Sequence, residues 1–259
     1  MIRWFPVVFI LIYGSMSISA AEVFRVSSPD GNIRVEIEIQ QFSDPLPQGD
    51  YPAYRVLFKG QEVVQFSPLR LLLKNAAEIG PGLTITDTVY ESIDQTIEPV
   101  FGQNRILRDN CRELTLKLKE AEPPQREFAL IFRVYNDAAA FRWEIPRQTG
   151  FSRIVIQQEE SYIRLNPATA YALPRKQFQT PYEGNYQIGP LREIAVNAPL
   201  LAMPLLLQIQ QGPWLAVTEA DLWDYPGMYL TAFQKEENTL ISRLSPFPED
   251  STVAARLNL

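Results

Sequence analysis

The chain has 259 residues, 46% of them hydrophobic, with 4 Trp, 11 Tyr and 14 Phe, which is enough apolar material for a full core. It contains no histidine and one cysteine. That excludes histidine-based nucleophile activation and acid–base chemistry, histidine or cysteine-cluster metal sites, and an internal disulfide. A formal net charge of −6 argues against a nucleic-acid partner, since there is no basic excess to displace counterions from phosphates. Carboxylates, hydroxyls, amides and aromatic faces remain.

Residues 1–21 carry the pattern of a secretory signal peptide. Arg3 supplies the positive start, 4–13 is an apolar run too short to span a bilayer, and Ser19 and Ala21 fit the small-residue cleavage pattern before Glu22. No later apolar run reaches membrane length. The sequence is therefore read as an exported protein, periplasmic or secreted, with no membrane span.

Residues 22–259 are read as one domain. Ile33, Val35, Ile37 and Ile39 alternate with Arg34, Glu36 and Glu38, predicting a strand with one buried and one wet face. Further strands are predicted at 53–58, 62–65 and 70–73. Leu114, Leu116 and Leu118 form another alternating row, as do Phe128, Leu130, Phe132 and Val134. Asn136-Asp137 predicts a hairpin turn into Ala139, Phe141, Trp143 and Ile145. Strands are also predicted at 154–156, 161–165, 205–209, 214–218 and 229–233. A short helix is predicted over 219–225, with Thr218 as N-cap and Pro226 as stop. Residues 251–259 open another strand. The 21 prolines disfavour long helices, and many short strands with regular turns predict an all-β fold, a large antiparallel sandwich.

Three groups of residues could carry chemistry. Thr180-Pro181-Tyr182-Glu183-Gly184-Asn185-Tyr186 brackets a carboxylate with two tyrosines. Aromatic faces stack on sugar rings, and the carboxylate could accept hydroxyl hydrogen bonds or ligate a hard cation. The plainer reading is a surface loop whose tyrosines cap a sheet edge. Glu219, Asp221 and Asp224, interleaved with Leu222, Trp223 and Tyr225, could line a polar cleft, or could simply favour a helix N-terminus while Leu222 and Trp223 plug the core. Scattered acids, including Glu91, Asp94, Glu98, Glu159 and Glu160, show no spacing that identifies a catalytic pair. Cys111 reads as an inert packed thiol.

Taken in order, these pieces resemble the N-terminal domain of glycoside hydrolase family 97, the exported α-glucosidases and α-galactosidases. The resemblance runs from Ser28-Pro29-Asp30-Gly31-Asn32-Ile33 through Val100-Phe101-Gly102 and the strand over 108–118. It continues with Phe132-Arg133-Val134-Tyr135-Asn136-Asp137, Ala140-Phe141-Arg142 and Tyr182-Glu183. It closes with Val217-Thr218-Glu219-Ala220-Asp221-Leu222 and Asp224-Tyr225-Pro226-Gly227-Met228-Tyr229-Leu230. Ala138, where the family has glycine, and Ile97, where it has an aromatic, depart from the pattern at structural positions.

The resemblance implies a β-super-sandwich similar to the galactose mutarotase fold, packed on a catalytic (β/α)₈ barrel and forming one wall of its pocket. It further implies calcium, with Glu183 as the ligand donated by this domain and the remaining ligands and catalytic groups on a barrel absent from this chain. An α-linked oligosaccharide would then face Tyr182, Tyr186 and Trp223, with no catalytic residue in this chain. The alternative is a carbohydrate-binding module in its own right using the same three aromatics. A mutarotase activity is set aside, because those enzymes use histidine.

Overall fold

The computed structural model describes residues 22–258, except residues 101, 103 and 221. The signal-peptide segment 1–21, Phe101 of the Val100-Phe101-Gly102 motif, Asp221 and Leu259 lie outside the described residues.

The chain is built almost wholly of antiparallel strands. β1 (Phe24–Ser27), β2 (Ile33–Phe42), β3 (Gly49–Phe58) and β4 (Gln61–Leu73) form a meander, followed by β5 (Leu83–Ile97), β6 (Leu107–Glu120), β7 (Glu127–Val134) and β8 (Ala139–Glu144). Then come β9 (Arg153–Leu165), β10 (Ala168–Ala172), β11 (Pro174–Arg175), β12 (Gln187–Pro190) and α1 (Leu191–Asn197). The last strands are β13 (Leu200–Leu201), β14 (Leu205–Ile209), β15 (Trp214–Val217), β16 (Met228–Ala232), β17 (Thr239–Leu244) and β18 (Ala255–Asn258).

A ten-stranded sheet runs β1-β2-β3-β4-β9-β17-β16-β13-β11, with β18 also paired to β9. Two four-stranded sheets complete the fold, β12-β10-β14-β15 and β5-β6-β7-β8. One apolar core joins all three, taking Val35 and Ile37 from β2, Leu114, Leu116 and Leu118 from β6, and Leu205 and Leu207 from β14. Tyr54 on β3 meets Phe141 of β8 at 5.2 Å and Phe132 of β7 at 6.3 Å between ring centroids, binding two sheets face to face. The predicted all-β super-sandwich is present.

Several strands are longer than the hydrophobic pattern suggests. Residues 62–65 and 70–73 are one strand, β4, which absorbs Pro68 where the pairing with β9 is irregular. Residues 154–156 and 161–165 likewise merge into β9. The turn at Asn136-Asp137 forms as predicted, and Ala138 keeps a negative φ, so no glycine is needed there. The strand opening in 251–259 is β18, paired with Arg153 to Ile156.

Two readings need correction. The described residues of 219–225 are not helical; Asp224 has φ +51°, and the Glu219 carboxylate accepts from the Met228 N–H at 2.7 Å. Tyr225 is drawn to the interior by its hydrogen bond to Glu159. The helix is instead α1, whose Leu191, Ile194 and Ala195 are buried at helical spacing after Pro190. Secondly, Glu36 is not on a wet face: it is 2% exposed and enclosed by arginines. Among the described residues no helix is long and apolar enough to cross a membrane.

Candidate functional site

The site is built where the chain leaves β10 and enters β11. Arg175 pairs with Leu200 of β13, which in turn neighbours β16, so Arg175, Leu200 and Tyr229 lie on the outer face of the ten-stranded sheet, with the small apolar cluster of Leu173, Leu200, Ala202 and Tyr229. The loop that follows folds back over this face. Phe178 meets Tyr229 edge-on at 5.5 Å, and the Tyr229 hydroxyl donates to the Phe178 carbonyl at 3.2 Å. Tyr182 stacks on Tyr229 at 6.1 Å with 30° between the rings.

Arg175 anchors the next turn. It is 8% exposed, its guanidinium carbon lies 5.6 Å from the Tyr182 ring centroid, and one of its NH groups donates to the Glu183 carbonyl at 3.0 Å. Gly184 follows with φ +154°, and a Cβ there would come within 3.2 Å of the same guanidinium nitrogen. Burial, then the neighbouring Tyr182, pushes the Tyr229 phenol up to about 12. Glu219 is a charge neighbour of Tyr229, and its own carboxyl is raised by burial against the pull of the Met228 N–H. A cleft of about 460 Å³ opens beside this group, between Phe178, Leu200, Thr231, Ile241, Lys176 and Arg243.

The structure thus brings Tyr182 and Glu183 together with Arg175, Phe178 and Tyr229. Among the described residues the Glu183 carboxylate makes no hydrogen bond or ion pair; only its backbone is held. Tyr186, 58% exposed, and Trp223, 83% exposed, stand in solvent, and no ring contact joins either to the Tyr182–Tyr229 pair. Among the described residues no group of acids, cysteines or histidines is arranged to hold a metal ion. At this loop one carboxylate, that of Glu183, stands free among the described residues, where calcium wants about six to eight oxygens, so the described residues do not by themselves make a calcium site.

The scattered acids are dispersed. Asp94 pairs with Arg108 on the β5–β6 hairpin, Glu160 with Arg70, and Glu159 accepts from Tyr225 and Ser161. Cys111 is free and fully buried, and burial raises its thiol pKa, in keeping with a packed, unreactive side chain. Arg175 was not legible as a site residue. The Leu173-Pro174-Arg175-Lys176 run carries no motif, and only the fold places it under Tyr182.

These features define a class: an all-β super-sandwich domain with an aromatic, polar cluster on the outer face of its large sheet. The family model described as the glycosyl-hydrolase 97 N-terminal domain matches residues 26–248, and the chain belongs to that family. A retaining alpha-galactosidase from Bacteroides thetaiotaomicron is 28% identical over 244 residues, covering 91% of this chain and 34% of that protein. A glycoside hydrolase family 97 enzyme from Pseudoalteromonas sp. strain K8, solved in complex with acarbose, is similar in structure with TM-score 0.78 and 27% identity, over 91% of this chain and 33% of that one. A β-arabinopyranosidase crystal structure, 21% identical with TM-score 0.77 over 91% of this chain and 38% of that one, shares the fold. The chain spans about a third of the length of these relatives.

Proposed function

We propose that this chain serves as the sugar-facing N-terminal domain of an exported α-glycosidase, forming one wall of an active-site pocket against a catalytic (β/α)₈ barrel. Tyr182, Tyr186 and Trp223 offer ring faces to an α-linked oligosaccharide. Glu183 donates its carboxylate to a calcium ion whose other ligands come from the barrel. The chain binds sugar but does not cleave the glycosidic bond alone, since the carboxylate pair that such hydrolysis requires is assigned to the barrel.

The observation that carries this reading is the state of Glu183. Its backbone is fixed by a buried arginine while its carboxylate stands free, beside a stacked tyrosine pair. An acid held in place without a partner in its own domain suits a ligand donated elsewhere. The proposal is tested by assaying the purified chain on aryl α-glucosides and α-galactosides and by titrating it with maltooligosaccharides. Binding without turnover is expected, and hydrolysis at a rate like that of full-length relatives would overturn it. The second reading, an independent carbohydrate-binding module, is favoured by the exposure of Tyr186 and Trp223, and differs in predicting full sugar affinity without any barrel.

A further inference from the structure

We propose that this domain carries a second glycan-binding surface, on the outer face of the four-stranded sheet β12-β10-β14-β15, where Tyr171 and Trp214 offer ring faces to a neutral pyranose. The inference goes beyond the reading of the Tyr182 loop and does not use it, since that loop lies on the outer face of the other, ten-stranded sheet.

Strand alternation builds the surface. Leu205, Leu207 and Ile209 of β14 are buried, so Leu206 and Gln208 between them point outward. Cross-strand pairing sets Tyr171 of β10 beside Leu206, and Thr169 of β10 and Trp214 of β15 on either side of Gln208. The Tyr171 and Trp214 rings therefore meet above β14, with centroids 5.2 Å apart and 42° between the planes, and Trp214 is 53% exposed. None of the residues in these four strands is charged, in a chain that is 21% charged. Among the described residues the Thr169 hydroxyl, the Gln208 amide, the Tyr171 hydroxyl and the Trp214 indole N–H make no hydrogen bond.

A ligand suited to this face has an apolar side, neutral hydrogen-bonding groups and no charge to balance. A pyranose matches on each count: its C–H face lies on the rings while its hydroxyls reach Gln208 and Thr169. A purely apolar partner would bury those two polar side chains unpaired, at a cost. An anionic polymer would find no cation on these strands.

The test is native affinity electrophoresis of the full chain through gels containing soluble starch, dextran or galactomannan, with alginate as the anionic control. It is run on the wild type and on a background carrying Tyr182→Ala, Tyr186→Ala and Trp223→Ala, which removes the rings of the first surface. The background is expected to remain retarded by at least one neutral polymer. Adding Trp214→Ala should weaken that binding by about tenfold, and Gln208→Ala by about threefold, while Trp214→Phe keeps a ring face and most of the affinity. A background that runs as in a plain gel overturns the proposal and leaves the loop reading standing if the wild type is still retarded. Retardation unchanged by Trp214→Ala, with the thermal midpoint kept, also overturns it, as does equal retardation in alginate. If Trp214→Ala folds poorly, Gln208→Ala decides, because that amide is exposed and makes no contact the fold depends on. A concentration-dependent dimer on gel filtration, lost in Trp214→Ala, would overturn the proposal by giving the face to a second copy of the chain.

Discussion

Tyr225 donates its hydroxyl hydrogen bond to Glu159 at 2.8 Å, tying the 218–228 segment to the inner face of the ten-stranded sheet. Glu159 lies opposite Leu71 and on the same side, facing the core. Ser161 donates to its other oxygen at 3.0 Å, and Ser242 donates to its carbonyl at 2.7 Å. No cation balances this carboxylate among the described residues. Burial pushes the Glu159 carboxyl above its ordinary range, against the pull of Tyr225 and Ser161.

The sign of the pH effect follows. A carboxyl whose folded pKa lies above its unfolded value contributes stability in full below about pH 4.3, and that contribution is lost as pH rises through the folded value. Glu159→Gln keeps one of the two acceptors, replaces the other with an NH₂ that a hydroxyl oxygen can accept from, and removes the charge. It should therefore match or exceed the wild-type thermal midpoint at about pH 8 and show a flatter stability–pH curve. Thermal unfolding across pH checks this, and a variant less stable than wild type at every pH would contradict it.

Glu36 has the opposite sign. Burial works against its charge, but Arg55, Arg25 and Arg34 outweigh it and hold the carboxyl below its ordinary range. Its stabilisation is present above the unfolded carboxylate value and lost as pH falls through the folded one. Glu36→Gln should cost about 2 kcal/mol at neutral pH, below the roughly 3–5 kcal/mol of a fully buried broken pair because the arginines keep partial access to water. Urea unfolding at neutral pH should show that loss, and the gap to wild type should narrow in acid.

Phe132 joins the sheets through Tyr54 and Phe141. Phe132→Ala should lower the unfolding free energy by about 3–5 kcal/mol without altering the denaturant slope. A loss below about 1 kcal/mol would mean that this ring is not part of a closely packed core.

Calcium should bind the chain alone only on the order of millimolar, since Glu183 is a single carboxylate and Arg175 already occupies its carbonyl. Calorimetry that gave micromolar affinity, abolished by Glu183→Gln, would show that this chain completes the site by itself.

The alternating rows of Leu114 to Leu118 and Phe128 to Val134 were legible because one face of each strand is buried and the other wet. β5 was not legible. Only Leu83 of its fifteen residues is buried, so pairing along β6 holds an edge strand that carries little hydrophobic pattern. Glu36 looked like a surface acid because its arginines come from Arg25 and Arg55 on the flanking strands as well as from its own. The Tyr182-Glu183 loop was legible as an unusual local group. Its dependence on Arg175 and Tyr229 was not, because β13 and β16 bring them together only after folding.

The central claim is that this domain presents a sugar-binding face, and fluorescence titration of the chain with maltooligosaccharides tests it most directly. Trp223 stands in solvent, so Trp223→Ala should change stability by less than about 0.5 kcal/mol. The account predicts saturable quenching with Kd on the order of 1 mM, strongly reduced by Trp223→Ala and weakened by Tyr182→Ala. Unchanged emission across a panel of α-glucosides and α-galactosides, with the fold intact, would contradict it.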